Sequence, residues 1–327
     1  MKKLLAAGIA AAAFGMGGPA AAQSGTLVLY TSQPDALLAD MIAAFNETYP
    51  DVSVESFRSG TTEVINRLQA EFAAGDPQPD VLLVANSIVM SQLAADGRLM
   101  AYEDAPVAPY DPAFYDPNMM YFGTKLITTG IIYNTDLVDT APESWTDLTA
   151  AAAEGQVIMP SPLYSGAAAY HVGTLTALDD FGWDYYNALY DNGAIAGRGN
   201  GSVREAVTTG QNAYGVIIDF MTFNAREDGS PVDFVFPTEG VTAITEPVAI
   251  LSTANNVEAA EAFVDWLLSV DGQEFAAAQG YLPAHPDVAG PDAFPALSDI
   301  TVLAVDPATL LTNDEDMKRQ FADLFGG

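Results

Sequence analysis

Short strand-type runs alternate with segments of helical period along most of this chain, and that alternation constrains its fold more than any other feature. Residues 26–30 (TLVLY) form an almost continuous apolar run of strand type. Leu37, Leu38, Met41, Ile42 and Phe45 then recur at helical spacing. Residues 52–57 alternate like a strand, Val64, Ile65, Leu68 and Phe72 return to helical period, 80–84 (DVLLV) reads as a buried strand, and 87–95 as a helix. A looser stretch at 101–118, rich in Pro, Asp and Tyr, reads as a long loop. The alternation restarts with strands at 157–159, 214–218 and 232–236 and with helices from Ala167 and from about Phe220. A strongly periodic helix over 257–269, a helix over 271–279 and a last one over 313–325 follow. Strands and helices alternating at this density predict α/β lobes, each a mostly parallel sheet flanked by helices. Two extended segments, at about 125–134 and 246–251, separate the blocks. They predict two lobes joined by crossing strands, with a ligand cleft between them at the C-terminal ends of the sheet strands.

The N-terminus carries Lys2 and Lys3, an apolar stretch from Leu4 to Met16, and Ala20-Ala21-Ala22-Gln23. That is the layout of a cleaved secretory signal, with an apolar run too short for the roughly 20 residues a membrane span requires. The expected organisation is therefore a signal peptide at 1–22, a first lobe from 23–125 plus 251–327, and a second lobe at 126–250. An exported, periplasmic monomer follows as the expectation.

Charge and composition exclude several functions. Eleven Lys and Arg stand against 43 Asp and Glu, a net charge of −32. Such a chain is a poor partner for nucleic acid, whose phosphates are bound mainly by Lys and Arg. The chain has no cysteine, so thiolate metal sites, disulfides and cysteine nucleophiles are absent. It has two histidines, His171 and His285, no G-x-S-x-G elbow, no H-E-x-x-H and no phosphate-binding G-x-x-x-x-G-K. The expectation is no enzyme and no cofactor.

Anion capture is the chemistry the pattern favours. Free N–H groups and the positive dipole end make a helix N-terminus an anion site, and small hydroxyl residues there add donors. Thr31-Ser32 follows the first strand, Ser59-Gly60-Thr61-Thr62 the second, Asn86-Ser87 the third, and Ser165-Gly166-Ala167 opens a helix of the second block. Each is also an ordinary cap; together they fall where the cleft is expected. Arg58 is either an added charge there or a surface residue. The Gly-rich stretch 197–201 (GRGNG) is accounted for by a loop entering a helix near Ser202.

The segments FRSGTTEVINRLQAE, GIIYNTDLV, SPLYSGAAAY, YGVIIDFMTF, FPTEGVTAITEPVAIL and VDWLLSVDGQEFAAAQGYLP resemble the extracellular solute-binding proteins of ABC importers, in the ferric-iron-type branch with two crossing strands. The resemblance covers essentially the whole mature chain. It implies the type II periplasmic binding protein fold, hinge closure on a solute and delivery to an ABC permease. Ferric-ion binders of that branch carry adjacent tyrosines just after the strand that reads YGVII here, where this chain has Asp219-Phe220-Met221. Tyr185-Tyr186 is a helical pair whose neighbours point apart. The resemblance therefore implies a phosphonate or phosphate-ester solute, with 2-aminoethylphosphonate the leading candidate and iron or another metal, a polyamine or a carboxylate the alternatives. It places the phosphate group at Ser59, Gly60, Thr61, Thr62, Ser165, Gly166 and Ala167, with Thr31, Ser32 and Ser87 beside them. Asp219 and Glu239 are the acidic grip on the far end; Asp219 serves equally as a helix cap.

Overall fold

A computed structural model describes residues 23–295 and 299–326; the expected signal peptide lies outside the described residues. The chain opens with β1 (Gly25–Thr31), α1 (Asp35–Thr48), β2 (Val52–Arg58), α2 (Thr61–Ala74), β3 (Val81–Leu83) and α3 (Ser87–Ala95). After the long loop come β4 (Phe122–Gly123) and β5 (Lys125–Asn134). The second block continues with β6 (Val157–Pro160), α4 (Gly166–Ala177), α5 (Gly182–Asp191), β7 (Ile195–Gly197), α6 (Asn200–Thr208), β8 (Tyr214–Ile218), α7 (Asp219–Glu227), β9 (Val232–Val235) and β10 (Thr242–Ile244). The remaining elements are β11 (Pro247–Ile250), α8 (Val257–Leu268), α9 (Val270–Ala278), β12 (Leu282–Pro283) and α10 (Pro307–Phe325).

These strands form two sheets. The first has the order β2-β1-β3-β11-β4, parallel from β2 to β3 and antiparallel at β11 and β4. The second runs β10-β5-β8-β6-β7, with β9 and β12 also paired to β5. Its β7, β6 and β8 are parallel, and β8 is antiparallel to β5. Both sheets are thus mixed, because the chain must cross between them twice. Thr124 alone separates β4 from β5, and Thr245-Glu246 separates β10 from β11. The two crossings lie side by side: the Thr124 N–H donates to the Thr245 carbonyl at 3.1 Å, and Thr124 Oγ1 donates to the Glu246 carbonyl at 2.8 Å. The interlobe connection is therefore two adjacent backbone segments of one or two residues, which suits a hinge.

Each sheet is buried on both faces. In the first lobe Leu27 and Leu29 of β1 point into a cluster with Phe45, Phe263 and Trp266, while Tyr30 points the other way to Val64, Leu68 and Met90. This is the two-residue period of a strand read in three dimensions. In the second lobe Ile132 and Ile217 face Val203, Phe220 and Phe223, and Ile131 and Val216 face Trp145, Tyr186 and Leu189.

Two details differ from the sequence expectation. Helix α10 begins at Pro307, with Asp306 Oδ1 accepting from the Ala308 N–H at 2.9 Å. Asp314–Asp316 therefore lie inside the helix rather than at its start, paired with Lys318, Arg319 and Gln320 one turn on. The same helix packs with the second lobe: Met317 and Phe321 join the cluster of Trp145, Tyr185 and Tyr186. The stretch 251–327 is thus divided, its first helices on the first sheet and α10 on the second lobe. Hydrophobic periodicity marks which face of a helix is buried but not which lobe receives it.

Candidate functional site

Between the lobes lies a cleft of about 430 Å³. Its walls are built from helix starts. Helix α2 of the first lobe begins after Gly60, which offers no capping side chain, so its first N–H groups are left to other partners. Helix α4 of the second lobe begins after Ser165, whose Oγ accepts from the Ala168 N–H at 3.2 Å and from Asn200 Nδ2 at 3.2 Å. Helix α6 begins in the GRGNG stretch, with Asn200 Oδ1 accepting from the Ile218 N–H at 3.3 Å. Three positive dipole ends from two lobes thus meet one space.

Across the cleft the lobes touch. The Thr62 N–H donates to the Tyr164 carbonyl at 3.4 Å. A Cβ at Gly60 would lie 2.7 Å from the Tyr164 carbonyl oxygen, and one at Gly166 would lie 2.6 Å from that of Ala85 and 2.9 Å from Thr61 Cβ. Glycine at 60 and 166 is what allows this approach.

Two arginines line the cleft, Arg58 and Arg198. Arg58 Nε donates to the Gln33 carbonyl at 2.7 Å. Arg198 pairs with Glu63 across the lobes at 2.5 Å. The Glu63 carboxyl is held below the usual carboxylate range, first by the Ser59 hydroxyl and then by Arg198 and the Gly60 N–H, against its partial burial. The floor holds Glu246, whose Oε2 meets Lys125 Nζ at 2.8 Å and accepts from Gln33 Nε2 at 3.2 Å. Tyr281 donates to Gln33 Oε1 at 2.8 Å, and its ring lies 4.4 Å from Lys125 Nζ. Ile127, Ile218, Phe220 and Met221 supply an apolar side. The arrangement can hold an oxyanion by N–H, hydroxyl and guanidinium donors, with a small mixed-polarity body beside it.

Of the residues expected at the site, Ser32, Ser59, Gly60, Thr61, Ser165, Gly166 and Ala167 line this cleft. The others lie around or away from it. Thr31 is fully buried, its Oγ1 accepting from the Gln33 N–H. Thr62 makes the backbone bond to Tyr164, and Ser87 starts α3 beneath the Asn86 cap. Asp219 is buried behind the cleft wall. Its Oδ2 accepts from the Thr128 N–H at 2.8 Å and the Thr128 hydroxyl at 2.7 Å, and Oδ1 from the Phe220 N–H at 2.7 Å. Burial raises its pKa to about 7 despite those bonds. Glu239 accepts from the Ser144 and Thr238 hydroxyls on the outer side of the second lobe. Neither acid is among the residues lining the cleft.

Sequence reasoning passed over Glu63, Arg198, Asn200, Ser202, Glu246 and Tyr281. One signal was available: Glu246 is a charge inside an otherwise apolar extended run and Lys125 opens the other crossing segment, and buried charges come in pairs. Tyr185 and Tyr186 pack in the core of the second lobe, Tyr185 donating to the Trp145 carbonyl. Among the described residues, no three His, Asp or Glu side chains are grouped so as to hold a metal ion, and no helix is long and apolar enough to cross a membrane.

The pattern of the bacterial extracellular solute-binding proteins matches residues 30–274. The chain belongs to that family. It is 27% identical, over 83% of its length and 74% of the relative's, to a probable ABC transporter periplasmic-binding protein of Sinorhizobium fredii. In fold it is similar to the periplasmic binding protein AfuA of Actinobacillus pleuropneumoniae, whose structure holds fructose-6-phosphate, with a TM-score of 0.84, 24% identity and coverage of 92% of this chain and 99% of that one. It is also similar to iron-bound HitA of Pseudomonas aeruginosa, with a TM-score of 0.80, 22% identity and coverage of 90% and 99%. The architecture is the type II periplasmic binding protein fold, and the chain is the solute-binding component of an ABC transporter.

Proposed function

We propose that this solute-binding protein captures a small phosphonate or phosphate ester in the periplasm, after loss of residues 1–22, and closes its lobes on it. The observation that carries this reading is the convergence of the α2, α4 and α6 starts with Arg58 and Arg198 on one cleft. In a chain with 11 basic residues against 43 acidic ones, this lining balances Arg58 and Arg198 against Glu63 and Glu246, so the cleft is far less acidic than the chain as a whole. A phosphorus oxyanion has three terminal oxygens and suits donors arriving from several directions. Donors come from both lobes, so a ligand touching both stabilises the closed arrangement through contacts the open one lacks. Iron fits the cleft less well. Tyr281, a cleft tyrosine, is held well above its ordinary pKa by burial and by nearby Glu246 and Asp219, which opposes the phenolate a ferric ion requires.

The test is a thermal-shift and calorimetric screen of the mature protein with inorganic phosphate, ethylphosphonate, 2-aminoethylphosphonate, hexose phosphates, spermidine and Fe³⁺. Stabilisation by the phosphorus oxyanions is expected, about 2.7 kcal/mol at a hundred times Kd. A shift with Fe³⁺ alone overturns the reading.

A further inference from the structure

The oxyanion end of the cleft leaves its floor without a role. The Lys125 and Glu246 side chains are each 3% exposed. They lie on the two interlobe crossings, Lys125 directly after Thr124 and Glu246 directly before β11. Glu246 Oε2 takes both the Lys125 ammonium and Gln33 Nε2. Among the described residues Oε1 accepts no hydrogen bond, although the side chain is almost wholly buried and lines the cleft. Oε1 is not among the enclosed side-chain atoms that lack a partner, so it is the part of this otherwise buried side chain left open to the cleft, where a solute donor can reach it. A second observation agrees. The Glu246 backbone is held at φ 36°, in the left-handed region that residues other than glycine seldom adopt. Backbone strain of this kind concentrates at ligand clamps and switch segments.

The neighbours of Glu246 decide which donor fits. Lys125 lies 2.8 Å away, and Gln33 and the Tyr281 ring complete the surroundings. The ion pair is already neutral as a unit. A solute ammonium would meet a carboxylate whose charge is cancelled and would face the Lys125 ammonium at close range in a poorly screened site. An uncharged hydroxyl meets no such repulsion and donates the one bond that Oε1 lacks.

We propose that Glu246 is a specificity-determining residue whose free carboxylate oxygen accepts a hydroxyl on the tail of the solute. The solute class is then a hydroxylated phosphonate or phosphate ester rather than an aminophosphonate. This rests on the oxyanion reading of the cleft. It also moves the acidic contact from Asp219 and Glu239 to the crossing of the two strands, where tail capture acts directly on the hinge.

Three phosphonates of nearly equal size test it by isothermal titration calorimetry: ethylphosphonate, 2-hydroxyethylphosphonate and 2-aminoethylphosphonate. The wild-type protein is expected to bind the hydroxyl probe at least about tenfold more tightly than the other two, a difference of about 1.4 kcal/mol. In the double variant Lys125→Met/Glu246→Leu, which removes both buried charges together, the ratio of hydroxyethyl to ethyl affinities should collapse toward one. Equal wild-type affinity for ethyl and hydroxyethyl probes overturns the inference, as does a wild-type preference for the amine. An unchanged ratio in the double variant also overturns it, and if that variant does not fold the wild-type comparison decides alone. Binding of none of the three phosphonates, nor of inorganic phosphate, instead overturns the oxyanion reading, and this inference with it.

Discussion

Two acidic residues that look alike in the sequence have different fates in the molecule. Asp219 and Glu239 each follow a strand of the second lobe, where cleft residues are expected. Asp219 is turned inward onto Thr128, and Glu239 holds Ser144 outside. Local sequence places a residue at a strand end; the partner that claims its side chain comes from 91 or 95 positions away. The position of the hydroxyl side is more legible, because Ser59, Thr61 and Ser165 stand at their own helix starts and line the cleft. Replacing Ser59 or Thr61 by Ala should weaken phosphonate binding about tenfold or more, the scale of one charge-assisted hydrogen bond of about 1.5–3 kcal/mol. Calorimetry measures this, with an unchanged melting temperature as the control for folding. Asp219 also carries a pH signature. Its folded pKa of about 7 lies above the ordinary 3.8. Between about pH 4 and 7 the folded chain keeps a proton that the unfolded chain releases, so stability falls as pH rises through that window, by up to about 1.4 kcal/mol per unit. Buried His171, lowered to about 3, acts oppositely below pH 6.5. The comparison is therefore wild type against Asp219→Asn: the stability difference should shift in favour of the variant from pH 4 to 8 in urea denaturation. A difference that does not vary with pH contradicts it.

Helices and strands were legible where hydrophobic period and cap chemistry agree. Helix α3 occupies Ser87–Ala95 as the pattern predicts, beneath the Asn86 cap. The periodic helix of 257–269 is α8, whose Phe263, Val264, Leu267 and Leu268 are all buried. The GRGNG stretch is expected to be a loop entering a helix near Ser202; in the structure only Arg198 and Gly199 form that loop, with Gly197 ending β7 and Asn200 and Gly201 already in α6. That this loop faces the cleft depends on β7 lying at the sheet edge beside β6, a tertiary fact. The helix starts also make a mechanical prediction. Gly166 of α4 stands against Ala85 and Thr61 of the other lobe. Gly166→Val adds bulk where a Cβ already overlaps, so the lobes should no longer meet. Its φ is not in the left-handed region, so the helix itself should tolerate the change. Ligand affinity is expected to fall at least 100-fold, with circular dichroism unchanged and a larger radius of gyration by X-ray scattering in the presence of ligand. Retention of wild-type affinity would show that the contact between Gly166 and the first lobe is not part of closure.

At the scale of the whole molecule, the two-lobe plan followed from two α/β blocks and two extended connectors. The crossings themselves are shorter than expected, one residue at Thr124 and two at Thr245-Glu246, because β5 and β10 stay in the second sheet to their ends. Helix α10 crosses the expected boundary because Met317 and Phe321 complete an apolar face of the second lobe that its own segment leaves open. Truncation before Pro307 should therefore destabilise the second lobe, by a few kcal/mol given two large side chains lost from a core, and a melting curve would record it. A truncated chain that melts like the full one would remove α10 from that core. The central claim is that the starts of α2, α4 and α6 hold a phosphorus oxyanion between the lobes. A crystal structure of the mature protein with 2-hydroxyethylphosphonate tests it most directly. The account predicts phosphonate oxygens within about 3 Å of the Thr61, Gly166 and Ala167 N–H groups, with Arg58 or Arg198 beside them. Phosphonate bound elsewhere on the surface, or a metal ion held by tyrosines in the cleft, would contradict it.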